Sequence, residues 1–120
     1  MIEEYKFGSI TINGKNYDYD LELRWTGEVL KWWRGESHVV DVKDVERALR
    51  QKPDIIVIGK GAMGIVKVTQ ECQDFIRKQG IELIIDRTEE VVKTFNIILE
   101  ESEEEEGKQE KLIGLFHLTC

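Results

Sequence analysis

Three glycines follow a short apolar run, and their spacing suggests a binding function more directly than any other pattern in this chain. Residues 54–68 read DIIVIGKGAMGIVKV, and Gly59, Gly61 and Gly64 have the spacing of a dinucleotide-binding loop. In such a loop the glycines permit a tight turn and close approach of a pyrophosphate, and a helix begins within the motif so that its N-terminus faces the phosphate. Asp86, at the end of the next predicted strand, would be the acidic residue that meets a ribose hydroxyl.

The residues after the third glycine argue against a dinucleotide. Residues 65–68 read IVKV, and three β-branched residues around one lysine favour extended chain over helix. The next helix is predicted to begin after Thr69 as its N-cap, too far from the glycines to hold a phosphate. The sequence therefore predicts that the glycines shape a tight loop with positive φ, and no cofactor is expected.

A pocket for an anion or another small molecule is the alternative that this region leaves open. Ligands of open α/β sheets bind at the carboxyl ends of the parallel strands, where backbone N–H groups and cationic side chains can meet. The structural alternative is an ion pair of Asp86 with Lys60 or Arg87, with Asn96 tying down a loop. The candidate ligand-binding residues are Gly59, Lys60, Gly61, Asp86, Arg87, Thr88 and Asn96, and Asn96 is expected to bond toward the glycine loop.

The histidines and cysteines form no catalytic or metal-binding pattern. His38, Cys72, His117 and Cys120 are scattered and lack the ligand spacing of a zinc site. We expect His38 at the surface and His117 as a half-buried, hydrogen-bonded residue of the last strand. We therefore assign no catalytic residue and no metal ligand. This argues against enzymatic activity but does not decide the question.

Two adjacent tryptophans suggest a protein-binding surface. Trp32 and Trp33 lie in a strand predicted over residues 29–34, so their side chains should point to opposite faces. One is then expected in the core and the other exposed, and exposed tryptophan is enriched at protein interfaces. The alternative is that the surrounding hairpin layers bury both.

The order of the predicted elements indicates the fold class. Residues 7–14 end on Asn13-Gly14, a strong hairpin signal, and residues 15–25 alternate as one half-buried strand. A helix over residues 41–51, with Asp41 as its N-cap, precedes an alternation of strands and helices: strand 54–58, helix 70–79, strand 81–86, helix 88–101 capped by Thr88, and strand 111–119. These patterns predict a single α/β domain over residues 1–120 with three layers, a central mixed and mostly parallel sheet, and an additional N-terminal antiparallel β-hairpin layer.

An acidic segment interrupts the end of this pattern. Six of the seven residues at positions 100–106 are glutamates, and their mutual repulsion should fray the preceding helix. We therefore expect a solvated acidic loop over about residues 100–110. The alternative is a site for a basic partner or a cation.

Composition excludes several function classes. The net charge of −7, without a dense Lys/Arg stretch, argues against nucleic acid, and no apolar run is long enough to span a bilayer. The N-terminal residues MIEEYKFGSI resemble neither a secretory signal nor a transit peptide, so we expect a cytoplasmic protein. The high charged fraction of 34%, rich in Glu and Lys, is typical of proteins from hot environments.

The ordered motifs also resemble a known family. FGSITINGK, DIIVIGKGAMG, GIELIIDRTEEVVKTFNIILEE and the terminal FHLTC together are similar to a small archaeal and bacterial domain family that includes the mitochondrial complex I assembly factor three and the adipogenesis-associated domain protein of animals. The resemblance implies the same three-layer fold, a glycine loop that is not followed by a dinucleotide-binding helix, and no established enzymatic activity. Its animal members act through protein partners. The chain departs from the family between Glu100 and Lys111, where other members have a shorter turn containing glycine and arginine.

Two function hypotheses follow. The first is a non-enzymatic interaction or assembly-type protein that binds an unknown protein partner, with a second copy of the chain as one such partner. The second is a small-molecule binder or enzyme with its pocket at the carboxyl ends of the parallel strands, around residues 59–64.

Overall fold

The computed structural model describes residues 1–104 and 109–120, and it confirms the predicted α/β fold. The elements are β1 (Ile2–Lys6), β2 (Ser9–Ile12), β3 (Lys15–Tyr17), β4 (Leu21–Arg24), β5 (Val29–Lys31), β6 (Val39–Val40), α1 (Val42–Leu49), β7 (Ile55–Lys60), β8 (Lys67–Val68), α2 (Gln70–Lys78), β9 (Glu82–Asp86), α3 (Thr88–Glu104) and β10 (Leu112–His117). The central sheet has the order β5-β4-β10-β7-β9. Its β7, β9 and β10 are parallel, while β4 and β5 join antiparallel.

A separate antiparallel sheet of β1, β2 and β3 forms the additional N-terminal layer. The hairpin between β2 and β3 turns at Asn13 and Gly14, whose φ angles of 49° and 82° are those that the Asn-Gly signal requires. The first strand, β1, was not predicted, because IEEYK offers too little alternation to identify a strand.

The prediction of one continuous strand over residues 15–25 is wrong. The chain leaves the N-terminal sheet after Tyr17 and enters the central sheet at Leu21. Both halves direct every second side chain toward one shared core, so the alternation with a period of two continues across the break. The following strand is also shorter than predicted, since β5 ends at Lys31 before the two tryptophans.

Two hydrophobic cores lie on the two faces of the central sheet. Alternation along β7 places Ile56 and Ile58 in the core beneath α1 and α2, and Val57 in the core beneath α3 and the N-terminal sheet. The last strand, β10, is buried along its whole length, and Gly114 leaves space that the rings of Phe95 and Phe116 occupy. Because β10 lies between β4 and β7, its carboxyl end brings the start of β4 close to the end of β7.

Helix starts follow the capping chemistry that the sequence indicates for α1 and α2. Asp41 forms a capping box with Asp44, and the Thr69 hydroxyl accepts a hydrogen bond from the N–H of Cys72 at 3.0 Å. The predicted N-cap of α3 is wrong, because Thr88 is the first helical residue and its hydroxyl bonds elsewhere. Cys72 is buried, and this burial, reinforced by Asp41, Asp44 and Glu71, raises its pKa to about 12.

The acidic segment does not fray where the charge pattern predicted. Helix α3 continues to Glu104, so residues 100–104 are helical rather than part of a loop. Leu99 and Ser102 are buried in the last turns and fix them to the body of the protein, which offsets the repulsion between exposed glutamates. The rest of the predicted acidic loop lies partly outside the described residues, since 105–108 are not described. None of the described helices has the length and hydropathy needed to cross a bilayer.

Candidate functional site

The glycine loop follows β7 at the carboxyl edge of the central sheet and has the predicted backbone conformation at two positions. Gly61 and Gly64 have φ angles of 94° and 68°, which favour glycine. A Cβ atom at Gly61 would lie 2.6 Å from the backbone oxygen of Thr119, and one at Gly59 would lie 2.6 Å from Thr88 Oγ1. The glycines therefore let the loop pack against α3 and the C-terminal segment.

The N–H groups of this loop are largely used within the protein. The N–H of Gly61 donates to Thr88 Oγ1 at 2.9 Å, and that of Ala62 donates to the backbone oxygen of Thr119 at 2.8 Å. The N–H of Gly64 donates to the oxygen of Gly61 at 3.3 Å. A phosphate cradle needs such donors free and pointing at the ligand, and here they bind protein atoms. The geometry supports the prediction that the glycine spacing is structural.

The other candidate ligand-binding residues are only partly brought together. Asp86 pairs with Gly59 across the β7–β9 ladder and accepts a hydrogen bond from the backbone N–H of Arg87. The guanidinium of Arg87 lies 3.9 Å from Glu90 and not beside Asp86, and both side chains are exposed. Lys60 ends β7 next to the loop, so these residues share one edge of the sheet.

Asn96 does not bond to the glycine loop, contrary to expectation. Its Oδ1 accepts the N–H of Ile2 at 2.9 Å and its Nδ2 donates to the oxygen of Ile2 at 2.8 Å. Both polar groups of the amide thus hold β1 against α3. Asn96 has a structural role in the N-terminal layer.

A charged network at the same edge was not predicted. Strand β4 runs antiparallel to β10 with Leu21 opposite Phe116, which places Asp20 beside His117. Asp20 Oδ2 lies 2.7 Å from His117 Nδ1 and accepts a hydrogen bond from Arg34 Nη1 at 2.8 Å, while Oδ1 accepts the N–H of Leu118. Burial raises the pKa of Asp20, but these hydrogen bonds from His117, Leu118 and Arg34 outweigh it and leave the pKa below its ordinary value. Asp20 is therefore ionised at neutral pH.

The network orients the imidazole of His117, which is more deeply buried than predicted. An ionised carboxylate only accepts, so Nδ1 donates to Asp20, and in the neutral ring Nε2 is an acceptor. The Thr119 hydroxyl lies 3.3 Å from Nε2. Carboxylate, imidazole and hydroxyl thus stand in the order that activates a hydroxyl nucleophile in hydrolases. His38 is exposed as expected, and its ring centre lies 6.2 Å from that of His117.

The two tryptophans lie beside this network with opposite environments. Trp32 is 5% exposed and donates from Nε1 to the backbone oxygen of Asp44, whereas Trp33 is 77% exposed. The guanidinium of Arg34 lies over the Trp32 ring at 4.8 Å. The expectation of one core and one surface tryptophan matches this geometry.

A cavity of about 260 Å³ opens between these residues. It is lined by Tyr19, Asp20, Lys31, Trp32, Trp33, Arg34 and Ser37. Its position beside β4 and β5 differs from the predicted pocket at residues 59–64. Sequence reasoning did not find it, because the lining combines the connection before β4 with the residues that follow β5.

Several exposed apolar side chains belong to segments that are hydrogen-bonded at this edge. Phe7 precedes Gly8, whose N–H donates to the oxygen of Leu118, and Met63 follows Ala62, whose N–H donates to the oxygen of Thr119. Phe7, Trp33, Met63 and Ile65 are all exposed, and we call these four residues the carboxyl-edge face.

The fold of this chain is shared with known proteins. A model of the family described as "Protein of unknown function (DUF498/DUF598)" matches residues 2–105. The chain belongs to the DUF498/DUF598 family. The family assignment agrees, at the level of the domain, with the resemblance seen in the sequence. The description of the family names no activity.

Solved structures share the DUF498/DUF598 fold over nearly all of the chain. A conserved hypothetical protein from Pyrococcus horikoshii OT3, PH1505, is 25% identical with a TM-score of 0.81, and the alignment covers 100% of this chain and 99% of that one. The protein MT938 is 25% identical with a TM-score of 0.78, and the alignment covers 100% of this chain and 98% of that one. XCC1710 from Xanthomonas campestris is 11% identical with a TM-score of 0.77, covering 98% and 83%, and this likeness concerns the fold alone.

Proposed function

We propose that this chain is a cytoplasmic, non-enzymatic interaction protein of the assembly-factor type, which binds a protein partner through the carboxyl-edge face. The observation that carries the proposal is the exposure of Trp33, at 77%, among three other exposed apolar side chains anchored to the same sheet edge. Single exposed apolar residues are ordinary, whereas a group of them with tryptophan and methionine is typical of an interface. The resemblance to animal proteins that act through partners supports the same class.

The rigidity of this edge strengthens the proposal. Gly8, Trp32 and Ala62, each next to a residue of the carboxyl-edge face, are hydrogen-bonded through their backbone N–H groups to Leu118, Asp20 and Thr119 respectively. A preorganised aromatic anchor loses little conformational entropy on binding. Trp33 is therefore suited to be the energetic centre of the interface.

Two observations weigh against an enzyme at this edge. The donors of the glycine loop are used within the protein, and the cavity is lined by Asp20 and Arg34 rather than by His117 or Thr119. The lining of the cavity therefore does not include the imidazole and hydroxyl pair that could perform chemistry. The network serves instead to hold the edge in one conformation.

The proposal predicts that two substitutions on the face strongly weaken partner binding. Native protein used to capture partners from cells of its own source should retain a defined protein at a fixed stoichiometry. The double variant Trp33→Ser and Met63→Ser should retain at least about tenfold less of it, because interface anchors typically contribute 2 kcal/mol or more.

The matched control changes two exposed apolar residues of the helices. Phe75→Ser and Ile97→Ser likewise remove two exposed apolar side chains, on α2 and α3, and should leave capture unchanged. Sedimentation of the purified native chain distinguishes a second copy from a different protein as partner. Equal capture by both double variants would contradict the proposal.

A further inference from the structure

The cavity beside Trp33 has the chemistry of a small-molecule site, independently of the protein-binding proposal. Its volume of about 260 Å³ lies just below the range of about 300–1,000 Å³ found for ligand pockets, so it fits a ligand of few heavy atoms. Aromatic rings of Tyr19, Trp32 and Trp33 form much of its lining. Such walls favour a flat, apolar ligand body.

The charges that line the cavity select an anion. Asp20 is neutralised by Arg34, with Nη1 at 2.8 Å from the carboxylate. Lys31 is the remaining charged group of the lining, and its ammonium lies 5.0 Å from the centre of the Tyr19 ring, at the boundary of the aromatic wall. The lining therefore carries a net charge of about +1 in a protein whose net charge is −7, since one carboxylate faces two cations.

A buried donor in the same lining lacks an acceptor. The Arg34 side chain is 5% exposed, and its Nε is buried without a hydrogen-bond partner among the described residues. The other two nitrogens of the guanidinium donate to Asp20 and to the backbone oxygen of Ser37. Unsatisfied buried donors are rare in native proteins, so the guanidinium next to the cavity keeps donor capacity that the described residues do not satisfy.

We infer that the cavity binds a small organic monoanion, a carboxylate attached to a flat apolar body, between Lys31 and the aromatic wall. The single surplus cation matches one negative charge. A phosphate dianion would place a second negative charge beside the carboxylate of Asp20, and an inorganic anion would leave the aromatic wall unused.

The test is titration of the full chain with benzoate, followed by NMR of the indole N–H signals. Substitution of each tryptophan by phenylalanine assigns the three signals. Benzoate should bind saturably and shift the Trp33 signal, and it should bind about fivefold more tightly than benzamide, its neutral analogue, because a charged partner adds about 1 kcal/mol at a partly exposed site. Acetate, which lacks the ring, should bind more weakly than benzoate.

Two lysine variants locate the charge. Lys31→Met should remove the preference for benzoate over benzamide while leaving benzamide binding unchanged, whereas Lys93→Met on the exposed side of α3 should leave both unchanged. Lys31 is exposed, so its replacement does not threaten folding. Equal binding of benzoate and benzamide to native protein, tighter binding of phenyl phosphate, or absence of a Trp33 shift would overturn the inference.

Discussion

Replacing Glu22 by alanine should lower the free energy of unfolding by about 2–3 kcal/mol. Glu22 is 1% exposed in β4, where its carboxylate meets two cations: Oε2 lies 2.8 Å from Arg24 Nε and Oε1 lies 3.1 Å from Arg47 Nε. Removal of one member of a buried ionic group leaves the others without compensation. The expected loss is smaller than the roughly 3–5 kcal/mol typical of fully buried pairs, because Arg24 keeps its bond to Glu28 and Arg47 is about one third exposed.

The measurement is urea denaturation of the native chain beside Glu22→Ala and Glu28→Ala. Glu28 pairs with the same Arg24 at 2.6 Å but is exposed, so its loss should cost less than about 1 kcal/mol. Equal effects of the two substitutions would contradict the buried network assigned to Glu22.

Replacing Thr88 by valine should lower the free energy of unfolding by about 2–4 kcal/mol. The hydroxyl of Thr88 accepts from the N–H of Gly61 at 2.9 Å and donates to the backbone oxygen of His117 at 2.6 Å, and all of these groups are buried. Valine preserves the volume but leaves two buried backbone groups without this partner, and each costs about 1–3 kcal/mol. Thr88 thus joins the glycine loop, α3 and β10 at the edge that carries Trp33.

Thr94→Val, six positions further along α3, is the matched control. The Thr94 hydroxyl donates to the oxygen of Glu90 within the helix at 3.2 Å, so its loss leaves no buried group outside the helix unpaired. The control should change stability by less than about 0.5 kcal/mol. A loss in Thr94→Val as large as that in Thr88→Val would show that helix propensity, rather than the hydroxyl, controls the result.

The second half of the fold is predictable because local signals agree with one another there. Apolar runs mark β7 and β9, Thr69 and Gly80 mark the ends of α2, and the alternation of strands and helices requires parallel pairing. The N-terminal half is harder to predict. Tyr17 and Leu21 belong to different sheets but face one shared core, so the alternation of side chains gives no sign of the break between them.

The candidate site was only partly predictable, because its charged network depends on pairing between distant segments. Asp20 and His117 are 97 positions apart and meet only because β4 and β10 are antiparallel neighbours in one particular register. Asp20 and Glu22 both lie in the strand predicted over residues 15–25, and no local signal separates the carboxylate that anchors Leu118 from the one buried beneath Arg47. The glycine spacing was interpretable, since the β-branched residues after Gly64 excluded a helix.

The most direct test of the proposed function is site-specific photo-crosslinking in cells of the native source. A photoreactive benzoylphenylalanine replaces Trp33 in one variant and Phe75 in the other, and both are exposed aromatic positions, one in the segment after β5 and one on α2. We predict that position 33 crosslinks to one discrete protein and that position 75 does not. Crosslinks of the same pattern from both positions, or none from position 33, would contradict an interaction role for the carboxyl-edge face.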